Sequence, residues 1–196
     1  MNTVLGYWYL KLQALILLVF GREAAALGKF DQMLLLKPND RYALASRAHV
    51  LAQQGDKTAA IGALQRLVAG YPGQAAAWFN LAFMLEDNGE QDGAEPAFRR
   101  ALELEPKMDR AWYGLALLLI RERRFDEAVQ ALKKNTELQP MSPFGWYQLA
   151  RVHVDRQDPD EAVKVIRHLK RFEPKVAAQL ERETGLSAAQ PGTLTN

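Results

Sequence analysis

Apolar residues recur along this chain at helical spacing, about 3.6 residues per turn, in stretches of roughly a dozen residues divided by short polar breaks. Residues 75–108 show the pattern most openly. Trp78, Leu81, Ala82 and Leu85 fall on one face, Gly89 interrupts, Ala94, Phe98 and Ala101 mark a second face, and Pro106 closes the stretch. That order predicts helix, turn, helix, stop. The frame repeats every 34 residues: Pro38, Pro72, Pro106, Pro140 and Pro174 form one column, Ala14, Ala48, Ala82, Ala116 and Ala150 a second, and Ala26, Ala60, Ala94, Ala128 and Ala162 a third. Three complete columns at one spacing predict an all-α repeat protein, a solenoid of five helical hairpins at 7–40, 41–74, 75–108, 109–142 and 143–176.

Local chemistry agrees with the frame. Gly21, Gly55 and Gly89 stand at the turn, where a helix commonly ends on a residue of left-handed conformation, and Arg123 and Gln157 occupy the same position in the last two repeats. Asp158-Pro159-Asp160-Glu161 reads as a capping Asp, a first-turn Pro and a Glu three residues on, and Ser142-Pro143 reads as another helix start. Pro96, about one turn into a second helix, is expected to bend it. The Ala columns allow the two helices of a hairpin to approach closely while Trp, Leu and Phe fill the flanking space. Past the fifth repeat, residues 176–184 are expected to form a short capping helix, with Ala177 and Leu180 inward, Glu181, Arg182 and Glu183 outward, and Gly185 at its end. One domain is expected over 1–186, followed by a small, polar, disordered tail over 187–196.

Trp78-x-x-Leu81-Ala82-x-x-Leu85, Ala94-x-x-x-Phe98 and Pro106 resemble the signature of the tetratricopeptide repeat (TPR) family. Trp112-x-x-Leu115-Ala116 and Trp146-x-x-Leu149-Ala150 repeat it, whereas the first two repeats carry Leu10 and Leu44 for the Trp and Gln13 and Arg47 for the first Leu. The resemblance implies a right-handed superhelix whose first helices line a groove that holds a peptide or helix of a partner, on positions two, five, nine and twelve of each repeat. In repeats three to five those positions place Phe79, Phe83, Arg110, Tyr113, Leu117, Ile120, Phe144, Tyr147, Arg151 and Val154 on the groove, with Glu86. Aromatic side chains with isolated Arg suit a hydrophobic or amphipathic ligand segment; packing against neighbouring helices or a tail of the same chain is the competing account. Family members that grip the C-terminal carboxylate of chaperone partners use Lys, Asn and Arg on these rows. Here Asn80 and Arg110 fit that set, but Ala45, His49 and Gly114 do not, which argues against that ligand.

Residues 4–20 contain one charge, Lys11, and the run Ala14-Leu-Ile-Leu-Leu-Val-Phe20. A membrane span needs about 20 apolar residues, and this stretch is short with Lys11 and Gln13 inside it. A signal peptide with Ala24-Ala25-Ala26 at its cleavage site would want basic residues ahead of the apolar run, and none precede Lys11. The third reading, the first helix of repeat one, is supported by Ala14, Ala26 and Pro38 on all three columns. That helix is apolar for a terminal repeat, so Trp8, Ile16, Val19 and Phe20 are expected to form an interface with another copy, a partner subunit, a membrane or the rest of the chain.

Composition narrows the chemistry. The 196 residues are 48% hydrophobic, and 25 basic against 23 acidic side chains leave +2 with no long run of either sign, so nucleic acid is not an expected partner. No Cys is present, which excludes disulfides, thiol nucleophiles and Cys-based zinc sites. His49, His153 and His168 are scattered with no metal-ligand spacing, and no phosphate loop or nucleophile motif occurs, so no metal, cofactor or catalytic residue is expected. His153 falls on a Leu column and reads as a packing histidine. The expectation is a cytoplasmic, non-enzymatic adaptor for an apolar or amphipathic segment of a protein partner. The alternative is a membrane-associated assembly factor or chaperone docking through 4–20.

Overall fold

A computed structural model describes residues 3–187. Eleven α-helices follow one another with no strand among the described residues: α1 (Thr3–Val19), α2 (Glu23–Leu36), α3 (Arg41–Gln53), α4 (Lys57–Gly70), α5 (Ala75–Asp87), α6 (Gln91–Leu104), α7 (Asp109–Arg121), α8 (Phe125–Leu138), α9 (Pro143–Asp155), α10 (Pro159–Leu169) and α11 (Pro174–Thr184). The first ten make five hairpins in the expected frame, and α11 begins at Pro174, two residues ahead of the expected capping helix. The tail expected over 187–196 lies, past Ser187, outside the described residues.

Each turn between the helices of a hairpin closes in the same way. The residue in the left-handed region is Gly21, Gly55, Gly89, Arg123 or Gln157, with φ between 60° and 82°. Its N–H donates to the carbonyl three residues back, and the next N–H donates five back, as in Gly55 to Ala52 and Asp56 to Leu51, or Arg123 to Ile120 and Arg124 to Leu119. This paired closure satisfies carbonyls that the helix end would leave open. The following helix starts on a side-chain cap where an Asp is available: Asp40, Asp56 and Asp158 accept from the N–H groups of Ala43, Ala59 and Glu161. Ser142, expected to cap α9, makes no such bond, although Pro143 does occupy the first turn. Helix α6 runs unbroken through Pro96, whose side chain is exposed.

Two compact units emerge, α1–α6 up to Pro106 and α7–α11 from Lys107. In the first, hairpins α1–α2, α3–α4 and α5–α6 stack through α2 against α3 and α4 against α5. In the second, α7–α8 stacks on α9–α10 through α8 and α9, and α11 packs on both α9 and α10. Both Ala columns are buried at every one of their ten positions. Around them sit the large core side chains: Phe30, Met33, Leu44, Val50 and Phe98 in the first unit, and Leu118, Leu119, Leu132, Ile166 and Leu169 in the second. The inter-repeat prolines carry a further tie. Trp78 and Trp146 donate their indole N–H to the carbonyls of Pro72 and Pro140, each at 2.9 Å, which fixes the start of α5 and of α9 to the preceding corner.

Candidate interaction surface

On the first helices of the hairpins, positions two, five, nine and twelve form a stripe away from the Ala columns. In the first unit the stripe centres on α5. Phe79, half-buried, lies between Phe83 and Phe98, with ring centroids 6.4 and 6.1 Å away, so its ring is held in place by the core below. Phe83 leaves 51% of its surface exposed. Beside it opens a pocket of about 390 Å³, lined by Ala45, His49, Ala52 and Gln53 of α3, Leu64 and Leu67 of α4, and Asn80, Phe83, Met84 and Asp87 of α5. The opening has a sequence cause. Positions five and twelve hold Ala45 and Ala52 in repeat two, where repeats four and five hold Tyr113, Ile120, Tyr147 and Val154. Those two small residues were the available signal for the pocket, which the stripe alone does not reveal.

In the second unit Tyr113, Leu117 and Ile120 are half-buried on α7, and Arg110 is exposed. Phe144 is 69% exposed at the start of α9. Tyr147 and Arg151 have a partner the sequence did not disclose. The Tyr147 hydroxyl donates to the Glu183 carboxylate of α11 at 2.6 Å, and Arg151 reaches the same carboxylate at 3.9 Å and the Tyr147 oxygen at 3.4 Å. The Tyr147 hydrogen bond, joined by Gln179, holds the Glu183 carboxyl below its ordinary range, and the same hydroxyl raises the Arg151 guanidinium. On α9, therefore, Phe144 faces outward while Tyr147 and Arg151 are tied to the capping helix, and Val154 is half-buried.

Repeat one differs. Trp8, Ile16 and Val19 are exposed on α1, together with Val4, Leu5, Tyr9, Leu12 and Leu15, and so is Phe20 just past its end. Lys11 lies 4.1 Å from the Tyr42 ring centroid and 5.1 Å from that of Trp8, a cation held over two aromatic faces. Tyr7 is buried beneath and donates to Asp40 at 2.9 Å; burial first, and then that bond and the carboxylate charge, push its phenol up to about 12. Among the described residues no helix is long and apolar enough to cross a membrane, and no three His, Cys, Asp or Glu side chains gather in a metal-binding arrangement. His153 is buried, with the Asp158 carboxylate 3.6 Å from Nδ1.

A tetratricopeptide repeat family model matches residues 45–103 and again 85–140. Residues 45–140 are tetratricopeptide repeats. No curated protein matches it in sequence, but solved structures match it in fold. A crystal structure of MamA protein is 20% identical, with a TM-score of 0.78 over 97% of this chain and 98% of that one. MamA from Desulfovibrio magneticus gives 19% identity and 0.77 over 93% and 97% of the two chains. YrrB, described as a TPR protein with an unusual peptide-binding site, gives 18% identity and 0.76 over 86% and 88%. These likenesses establish the tetratricopeptide solenoid as the fold. The matched stretch 45–140 includes the pocket on α3–α5 and the α7 stripe, and leaves out α1, whose repeat carries Leu10 and Gln13 at the Trp and first Leu positions.

Proposed function

We propose that this protein is a non-enzymatic interaction scaffold that holds an apolar or amphipathic segment of a partner protein on its first-helix stripe. The observation that carries the reading is the pocket of about 390 Å³ beside Phe83, with Phe79 stacked behind it. Phe83, half exposed and stacked on a Phe79 ring that itself rests on Phe98, offers apolar area with little rotamer freedom left to lose, the property of a binding hot spot. Asn80 and His49 on the pocket rim supply hydrogen-bonding groups for a ligand backbone. Arg110, Tyr113, Leu117, Ile120 and Phe144 offer the same kind of contact in the second unit, where Tyr147 and Arg151 are tied to the capping helix and Val154 is half-buried. YrrB, with its peptide-binding site, supports a peptide as the ligand class.

Selection of displayed random peptides on the full chain tests this reading. Peptides with two or more aromatic or aliphatic residues at helical or alternate spacing are expected to enrich, and Phe83→Ser is expected to weaken them ~10-fold or more while helicity is unchanged. Enrichment of peptides that depend on a free C-terminal carboxylate, or binding indifferent to Phe83, would sink the reading. Measurable turnover lost on changing His49 would favour an enzyme instead. The alternative of a membrane-docked assembly factor draws on the exposed apolar face of α1, and lipid dependence separates it from the scaffold.

A further inference from the structure

The exposed apolar residues of α1, continued by Phe20, whose N–H donates to the Ile16 carbonyl, form one unbroken face. At about 100° per residue, Val4, Leu15, Trp8, Val19, Leu12, Leu5, Ile16, Tyr9 and Phe20 follow one another around an arc of about 160° with no polar side chain among them. Each is between 42% and 82% exposed. The opposite side of the helix, with Tyr7 and Ala14, is buried against the chain's own hairpins. Part of the arc corresponds to the surface through which the later repeats stack, while Trp8 and Leu15, at positions two and nine, continue the first-helix stripe. Tyr9 and Ile16 stand at the third and tenth positions of their repeat, where α3 buries Ala43 and Val50, α5 buries Ala77 and Met84, and α9 buries Gly145 and Val152. Those faces meet α2, α4 and α8. Among the described residues no hairpin precedes α1 to cover its third and tenth positions.

We propose that the arc is a self-association surface, α1 packing against α1 of a second copy of this chain. Three observations select that occupant. The nine side chains expose roughly 1,000 Å², close to the ~800 Å² per partner that a stable interface of standard size buries. A head-to-tail contact would need an apolar face on α11, but that helix buries Ala177 and Leu180 inward and turns Arg182 and Glu183 out. A two-fold contact asks only that the face suit itself. A membrane surface would favour cations flanking the apolar stripe. The single cation of residues 4–20, Lys11, is instead engaged by the Tyr42 and Trp8 rings. The inference does not depend on the peptide-binding reading, because the pocket and Phe83 lie off α1.

Light scattering on the full chain decides the matter, since a dimer has twice the 22.1 kDa chain mass. The wild type is expected to be dimeric at tens of micromolar. Val19→Glu with Phe20→Glu, at two of the most exposed positions, is expected to halve the mass without changing helicity. Because the chain has no Cys, Leu12→Cys at the centre of the arc is expected to give a disulfide-linked dimer on oxidation, whereas Arg182→Cys on α11 should dimerise without forming an intermolecular disulfide. A wild type that is monomeric at these concentrations overturns the proposal, as does a dimer untouched by the double substitution. A monomer that sediments with phosphatidylcholine vesicles, and ceases to when the substitutions are made, overturns it in favour of a lipid surface.

Discussion

Asn135 occupies a core position that holds Met33, Leu67 and Leu169 in other repeats, and it is buried. Its side chain donates to the Asp109 carbonyl at 2.9 Å. The room for it comes from Gly145, where the equivalent residues are Ala43, Ala77 and Ala111: a Cβ added to Gly145 would lie 2.1 Å from Asn135 Oδ1. Gly145→Ala is therefore expected to destabilise the protein by about 1–3 kcal/mol through overpacking. Asn135→Ala in the same chain should recover part of that loss, and denaturant titration of the two variants would show it. No recovery would mean that the pair is not the source of the strain. His153 makes a second prediction. It stands on a Leu column, its Nδ1 lacks a hydrogen-bond partner, and burial lowers its pKa from 6.5 against a smaller opposing pull from Asp158. The unfolded chain thus binds the proton more readily than the folded one, so stability is full above pH 6.5 and is lost as pH falls from there through the depressed folded pKa. His153→Leu should flatten thermal stability across that window; an unchanged acid slope would assign the loss to other groups.

At the scale of the element, the hairpin turns are identical in hydrogen bonding but not in residue. Arg123 and Gln157 hold the left-handed conformation at φ 60° that Gly21, Gly55 and Gly89 adopt without a Cβ penalty. Replacing either by Gly should stabilise the fold by about 0.5–1 kcal/mol, the relief of strain being partly offset by the greater freedom of Gly in the unfolded chain. A loss of stability on chemical denaturation would mean that the exposed side chain contributes more than its conformation costs. Helix α11 rests on fewer contacts. Leu180 is fully buried, so Leu180→Ala is expected to cost about 2–5 kcal/mol. By loosening α11 it should also release Tyr147 from Glu183, visible as a change in tyrosine fluorescence. The hairpin frame was legible in the sequence because the packing rule that sets it acts every 34 residues, and each Pro, Ala and turn column reports it five times. The Tyr147–Glu183 and Asn135–Gly145 pairs were not legible. Each occurs once, joins residues on different helices, and replaces a family position by a side chain whose partner only the folded geometry supplies.

For the whole molecule, the core is unevenly shared among the helices. Among the described side chains of α1 only Tyr7 and Ala14 are buried, and in α11 only Ala177 and Leu180, whereas α3, α4, α5, α7 and α8 each bury five or six. In a repeat array, stability is close to a sum of each repeat and its contacts with neighbours. The first and last helices should therefore open at lower free energy than those between them. Hydrogen exchange measured by mass spectrometry is expected to show this gradient, with amides of α1 and α11 exchanging at least ~10-fold faster than those of α3–α8. Uniform protection along the chain would instead mean a single cooperative unit. The two ends should part company when concentration is raised. If α1 covers its apolar arc with a second copy, mass action slows exchange in α1 as dimer accumulates, while α11, with its charged outer face, keeps its rate. A concentration effect at both ends would point to head-to-tail stacking, and none at either end would leave the arc of α1 uncovered by this chain.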